Sequence, residues 1–85
     1  MVKRYAEPDQ EQIAWNRFKE ILGEHEFAIR LAKLFGRDKT AIHRWYRTGL
    51  PKFVFVTLEL LEVAPQWKVT EIKERIDDEM KKSAK

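Results

Sequence analysis

Apolar residues return every three or four positions along most of this chain, the period of a helix with one buried face. Between Asp9 and Leu22 the buried stripe reads Ala14, Phe18, Ile21 and Leu22, with Ile13 and Trp15 at its edges. Pro8 and Asp9 mark the start of this helix, acidic residues in its first turn suit the helix dipole, and Gly23 ends it. A shorter stripe, Phe27, Leu31, Leu34 and Phe35 with Ala28 and Ala32 beside it, predicts a second helix that stops at Gly36. Asp38 is a good N-cap for a third helix, Lys39 to about Arg47. Ile42, Trp45 and Tyr46 give that helix an apolar side, and Lys39, Thr40, His43, Arg44 and Arg47 fall on the other. Gly49 and Pro51 close the unit.

The pattern is less uniform beyond this point. In Leu50 to Val63, Phe53, Phe55, Thr57 and Glu59 alternate with Val54, Val56, Leu58 and Leu60, as in a strand. Pro51 fits the first turn of a helix equally well, and Leu58 and Leu61 with Glu59 and Glu62 suit an amphipathic helix. In either form the segment is too apolar to stay exposed; it completes the core, and any surplus offers a dimer surface. Ala64-Pro65-Gln66 is a break. Thr70 then caps a last helix running to about Lys82, in which Ile72, Ile76 and Met80 recur every four residues. That stripe, with Trp67 ahead of it, suits two partners: its own domain, or the same helix of a second chain. Residues 1–8 read as a flexible arm, with Lys3 and Arg4 available to a phosphate or a minor groove. Residues 83–85 should fray.

Eighty-five residues make one small domain with little core to spare, and three Trp, five Phe and two Tyr compensate. The net charge is only +3, but its placement is uneven. Residues 37–52 hold Arg37, Lys39, Arg44, Arg47 and Lys52 against Asp38 alone, whereas residues 1–36 carry equal numbers of acids and bases. A local basic stripe on a neutral background is the electrostatic footprint of a polyanion site, although a plain solvated helix face has the same composition.

Other chemistries find little support. There is no Cys, so neither a disulfide nor a Cys-based metal site is expected. His25 and His43 are too far apart for a local ligand pair, and His25 between Glu24 and Glu26 does not converge with them on one centre. No glycine-rich phosphate loop or nucleophile constellation is present, so an enzyme is not expected, nor is a cofactor, a metal or a small-molecule ligand. No apolar run approaches a membrane span and no signal-peptide pattern opens the chain, so a cytoplasmic setting away from membranes is expected.

The residues Ala32, Gly36, Ile42 and Trp45 resemble the helix-turn-helix of the Cro-type, phage-repressor-like (lambda-repressor-like) DNA-binding superfamily. In that pattern a small residue in the first helix admits the second, a glycine four residues on makes the turn, and apolar residues six and nine beyond it lock the recognition helix down. The run Trp45-Tyr46-Arg47-Thr48-Gly49-Leu50-Pro51 looks like the ending of small YdaS-like and Cro-like members. The resemblance covers about residues 11–62 and is strongest over 28–51. The chain departs from it at Arg37, where an apolar residue is common, and at Ala28, where a phosphate-binding glutamine is common.

The resemblance implies an all-α bundle of about five helices, with residues 9–64 as the DNA-binding domain and residues 65–85 as a C-terminal helix that packs or dimerises. It tips residues 53–62 towards helix. It implies a recognition helix, 39–47, in the major groove of double-stranded DNA, with Lys39, Thr40, His43 and Arg44 on bases and Arg37, Arg47, Lys52 and His25 on phosphates. The expected role is a transcriptional regulator of the repressor type, acting as a homodimer through a surface such as Trp67, Ile72, Ile76 and Met80. The competing expectation is a protein-interaction module on the same fold with no DNA role. RNA binding fits less well, because the aromatics fall on core positions and do not interleave with the basic ones.

Overall fold

The computed structural model describes residues 5–83, which form five helices and no strand. These are α1 (Pro8–Leu22), α2 (Phe27–Phe35), α3 (Lys39–Thr48), α4 (Lys52–Val63) and α5 (Gln66–Ser83). The all-α expectation holds. The segment with a strand-like alternation is α4, and the reason is visible in its burial. Val54, Leu58 and Leu61 go inward at helical spacing, and Pro51 precedes the first turn, with its carbonyl accepting from the Val54 N–H at 3.1 Å.

Each element contributes to one core. Phe18 of α1, Leu31 of α2, Ile42 of α3, Leu50 of the α3–α4 link and Val54 of α4 are essentially inaccessible to water. Burying a side chain of this size is worth about 1.5–3 kcal/mol. Around them the aromatics meet edge to face: Phe35 lies 6.2 Å from Phe18, 5.6 Å from Trp45 and 5.6 Å from Phe53. Such pairs add about 0.5–1.5 kcal/mol beyond area burial.

The sequence pattern needs correction in three places. On α1 the inward arc is Glu11, Ala14, Trp15, Phe18 and Leu22, so Trp15 packs in the core as expected, well inside the edge of the stripe. Ile13 points the opposite way and is 61% exposed. Thr70 does not cap α5; the helix begins at Gln66, directly after Pro65, whose carbonyl accepts from Lys68 and Val69. Proline, with φ already fixed near the helical value, starts this helix in place of a capping hydroxyl. Finally, Ile76 is 3% exposed in the domain's own core, with Ile72 and Met80 packed against that core. This stripe of α5 lies on its own domain, beside α2, and is not open to a second chain. Trp67 alone of the four proposed residues stays exposed, at 66%. Lys3 and Arg4 of the N-terminal arm, and the last two residues of the fraying end, lie outside the described residues; Tyr5 rests against Phe55, 5.4 Å between ring centres.

Three polar links tie the helices together. Arg17 of α1 pairs with Glu62 of α4, and Arg30 of α2 pairs with Asp77 of α5. The third is buried. Glu11, only 4% exposed, accepts the main-chain N–H of Leu50 on its Oε2 at 2.9 Å. A buried amide left without an acceptor costs about 1–3 kcal/mol.

Glu11→Ala should therefore lower the free energy of unfolding by about 1–3 kcal/mol, with Glu11→Gln losing less because an acceptor remains. Urea unfolding of the three proteins measures this, and an Ala variant as stable as the wild type would refute the role. The Asp77 carboxyl is held below its ordinary range, first by the hydrogen bond from Arg30. A depressed carboxylate stabilises the fold above its unfolded value, near pH 4, and loses that contribution as pH falls through the folded value. The melting temperature of Asp77→Asn should accordingly fall less than that of the wild type on acidification below about pH 4. Parallel curves would show that the pair contributes nothing.

Candidate nucleic-acid interface

The α2–α3 turn is built by three residues with separate tasks. Gly36 ends α2 in the left-handed region, at φ 66 and ψ 33, where any side chain would be strained. Arg37 then donates its N–H back to the Ala32 carbonyl at 2.8 Å, closing the helix end. Asp38 is extended, and its carboxylate accepts the Ala41 N–H at 3.1 Å, so it starts α3 as an N-cap. Ala32, buried, gives α3 room to approach α2.

Ile42 and Trp45 pin one side of α3 to the core, both of them buried. With 3.6 residues per turn, Lys39, Thr40, His43, Arg44 and Arg47 then fall on the opposite half of the helix, and all five are exposed. The structure brings these five together on one face. Arg37 stands just ahead of them in the turn, with its guanidinium 5.4 Å from the centre of the Phe53 ring. Lys52 opens α4 and is also exposed. His25 belongs elsewhere. It precedes α2, whose nine residues, about 13 Å of helix, separate it from the turn. Its Nε2 lies 3.8 Å from the Glu26 carboxylate.

The electrostatic character of the face follows from what its cations touch. Among the described residues, Arg17, Arg30, Lys68 and Arg75 each pair with a carboxylate. No such pair engages Lys39, Arg44 or Lys52, and Asp38, the nearest acid in the chain, spends its carboxylate on the helix cap. Arg37 sets its guanidinium over the Phe53 ring in a cation–π contact and not against a carboxylate.

One residue at this face escaped the sequence pattern. Tyr46 was assigned to the apolar side of α3, yet it is half exposed at the border of the basic face. Its ring stacks on Trp15 with centres 4.3 Å apart and planes 16° apart, and it stands 6.1 Å from the His43 ring. Partial burial pushes its phenol above the ordinary value, so Tyr46 adds no negative charge near neutral pH. The signal was its position, four residues before Leu50 and next to Trp45, where one aromatic can be core and its neighbour only the rim.

Among the described residues no group of three or more His, Asp or Glu could hold a metal ion, and no helix is long and apolar enough to cross a membrane. Comparison of the chain with protein-family models, curated proteins and solved structures gives no match. The interpretation of this face rests on its own residues.

The N-cap has a direct test. Asp38→Ala should cost about 1 kcal/mol of stability, whereas Asp38→Ser, which keeps a capping oxygen, should cost a few tenths. Chemical unfolding of both variants decides the matter: equal losses would mean that the Asp38 oxygen does not hold the start of α3.

Proposed function

We propose that this chain is a sequence-specific, double-stranded DNA-binding transcriptional regulator of the small Cro-like kind, acting as a repressor. The observation that carries the proposal is the α3 face: five exposed polar and basic side chains on a helix whose other side is buried through Ile42 and Trp45. From Lys39 to Arg47 this face is about 12 Å long, the rise of three to four base pairs. A major groove admits a helix presented in this way.

In this reading Lys39, Thr40, His43 and Arg44 meet base edges, and Arg37, Arg47, Lys52 and His25 hold phosphates. Arginine offers guanine two parallel hydrogen bonds, worth about 1–3 kcal/mol of discrimination. His25 is the weakest of these assignments, because Glu26 stands beside it and repels a phosphate. A reader of so few base pairs gains selectivity by pairing, so the working form is a homodimer on two half-sites about 34 Å apart. The second reading, an interaction module with no DNA role, draws on the exposed apolar side of α4. The two differ in what removal of the α3 charges does.

Selection from a random duplex library should enrich a motif made of two related half-sites one turn apart. Arg44→Ala or Lys39→Ala should relax preference at particular positions, each base contact costing about 1–3 kcal/mol. Arg47→Ala should weaken all sequences alike and reduce the dependence of binding on salt. Absence of enrichment at low salt, with binding unchanged by Arg44→Ala, would leave the interaction module as the surviving reading.

A further inference from the structure

The outer side of α4 is as apolar as its inner side. Val54, Leu58 and Leu61 enter the core, while Phe53, Val56, Leu60 and Val63 face outward, at 41, 42, 63 and 80% exposure. Their spacing of three, four and three residues puts them in one straight stripe opposite the buried arc. Trp67 stands just past its end, with Pro65 between. Phe53 is partly covered by Phe35 of α2 and Trp45 of α3, whereas Val56, Leu60 and Val63 face solvent.

We propose that the outer face of α4 is a self-association surface, and that its occupant is α4 of a second copy, crossing antiparallel about a two-fold axis. Three observations select this occupant. The first is size matching. Along the stripe large and small side chains alternate: Phe53, Val56, Leu60, Val63. Antiparallel pairing sets Phe53 against the other copy's Val63, and Val56 against its Leu60, so each layer joins a larger side chain to a smaller one. Parallel pairing would set like against like. A two-fold axis makes both layers occur twice, as an isologous contact requires.

The second is area. The four stripe residues and Trp67 expose on the order of 500 Å² of mostly apolar surface per copy, so their complete burial in a pair removes at most about 1,000 Å², the threshold of a specific interface. The third is charge. Within the Phe53–Val63 stretch the charged residues are Glu59 and Glu62, and Glu62 is paired with Arg17. Lys52 and Arg37 beside Phe53 and Lys68 beside Trp67 are basic, but they stand at the two ends, and the stretch between them carries no Lys or Arg to hold an anionic membrane surface. This inference deepens the homodimer of the proposed function and replaces the α5 stripe as its surface. It rests on that reading only for the use of the pair on DNA, since self-association is measured without DNA.

Sedimentation equilibrium of the full chain, in the absence of nucleic acid, should show a species of twice the 10.2 kDa chain mass as concentration rises. Leu60→Arg should weaken the association by about 100-fold, since one apolar contact is lost per copy and a charge is placed in each. Val63→Lys should act in the same direction. Both positions are exposed in the monomer, so unchanged helical circular dichroism and melting will show that the variants fold. The chain has no cysteine, which makes the orientation testable. A mixture of Val56→Cys and Leu60→Cys should form mixed disulfides faster than either variant pairs with itself. A chain that stays at 10.2 kDa throughout, a dimer indifferent to Leu60→Arg, or cross-linking that favours identical positions would each overturn the proposal. Failure of DNA binding alone would leave it standing.

Discussion

The hydrogen bond from the Leu50 amide to the buried Glu11 carboxylate is the constraint around which the domain closes. Between α3 and α4 the chain must reverse within Gly49, Leu50 and Pro51, and Leu50 is 1% exposed. Pro51 has no N–H, so Leu50 carries the last main-chain donor before α4 begins, in a place that water cannot reach. A carboxylate from α1 meets it. This couples the first helix to the end of the α2–α3 unit, 39 residues apart in sequence. A charge-assisted bond of this kind is stronger than a neutral one, but it is tolerable only because both groups are satisfied together.

The same region shows how a small chain secures a helix by one side and leaves the other exposed. Trp45 lies against Phe35 and Phe53, while Tyr46, the next residue, stacks outside on Trp15. Two adjacent aromatics thus grip α3 from two directions, towards α2 and α4 on one side and α1 on the other. Neither grip uses the arc that carries Lys39, His43, Arg44 and Arg47. The packing fixes the direction in which the charged face points.

Features set by one helix or one turn were legible in the sequence. Gly36 as the stop of α2, Asp38 as the cap of α3, and Ile42 and Trp45 as anchors depend on spacing and backbone chemistry within a few residues. Features set by two distant segments were not. Glu11 occupies the same arc as Ala14, Trp15, Phe18 and Leu22, and an acid on a buried stripe is itself a signal of an internal partner. Its partner, an amide 39 residues on, has no sequence signature at all. The stripe of α5 could have served either a second chain or its own domain; periodicity gives a face and not the surface it meets. The apolar surplus of α4 was legible as a candidate surface, but which residues form it was not, because the inward side is equally apolar and the period of the pattern is blurred.

Phe53 belongs to both surfaces that remain uncommitted within the fold. Its ring supports Trp45 under α3, lies 5.4 Å from the Arg37 guanidinium, and still leaves enough of itself outside to begin the α4 stripe. The basic turn and the outer face of α4 therefore share one side chain, and a change in the packing of Phe53 reaches both.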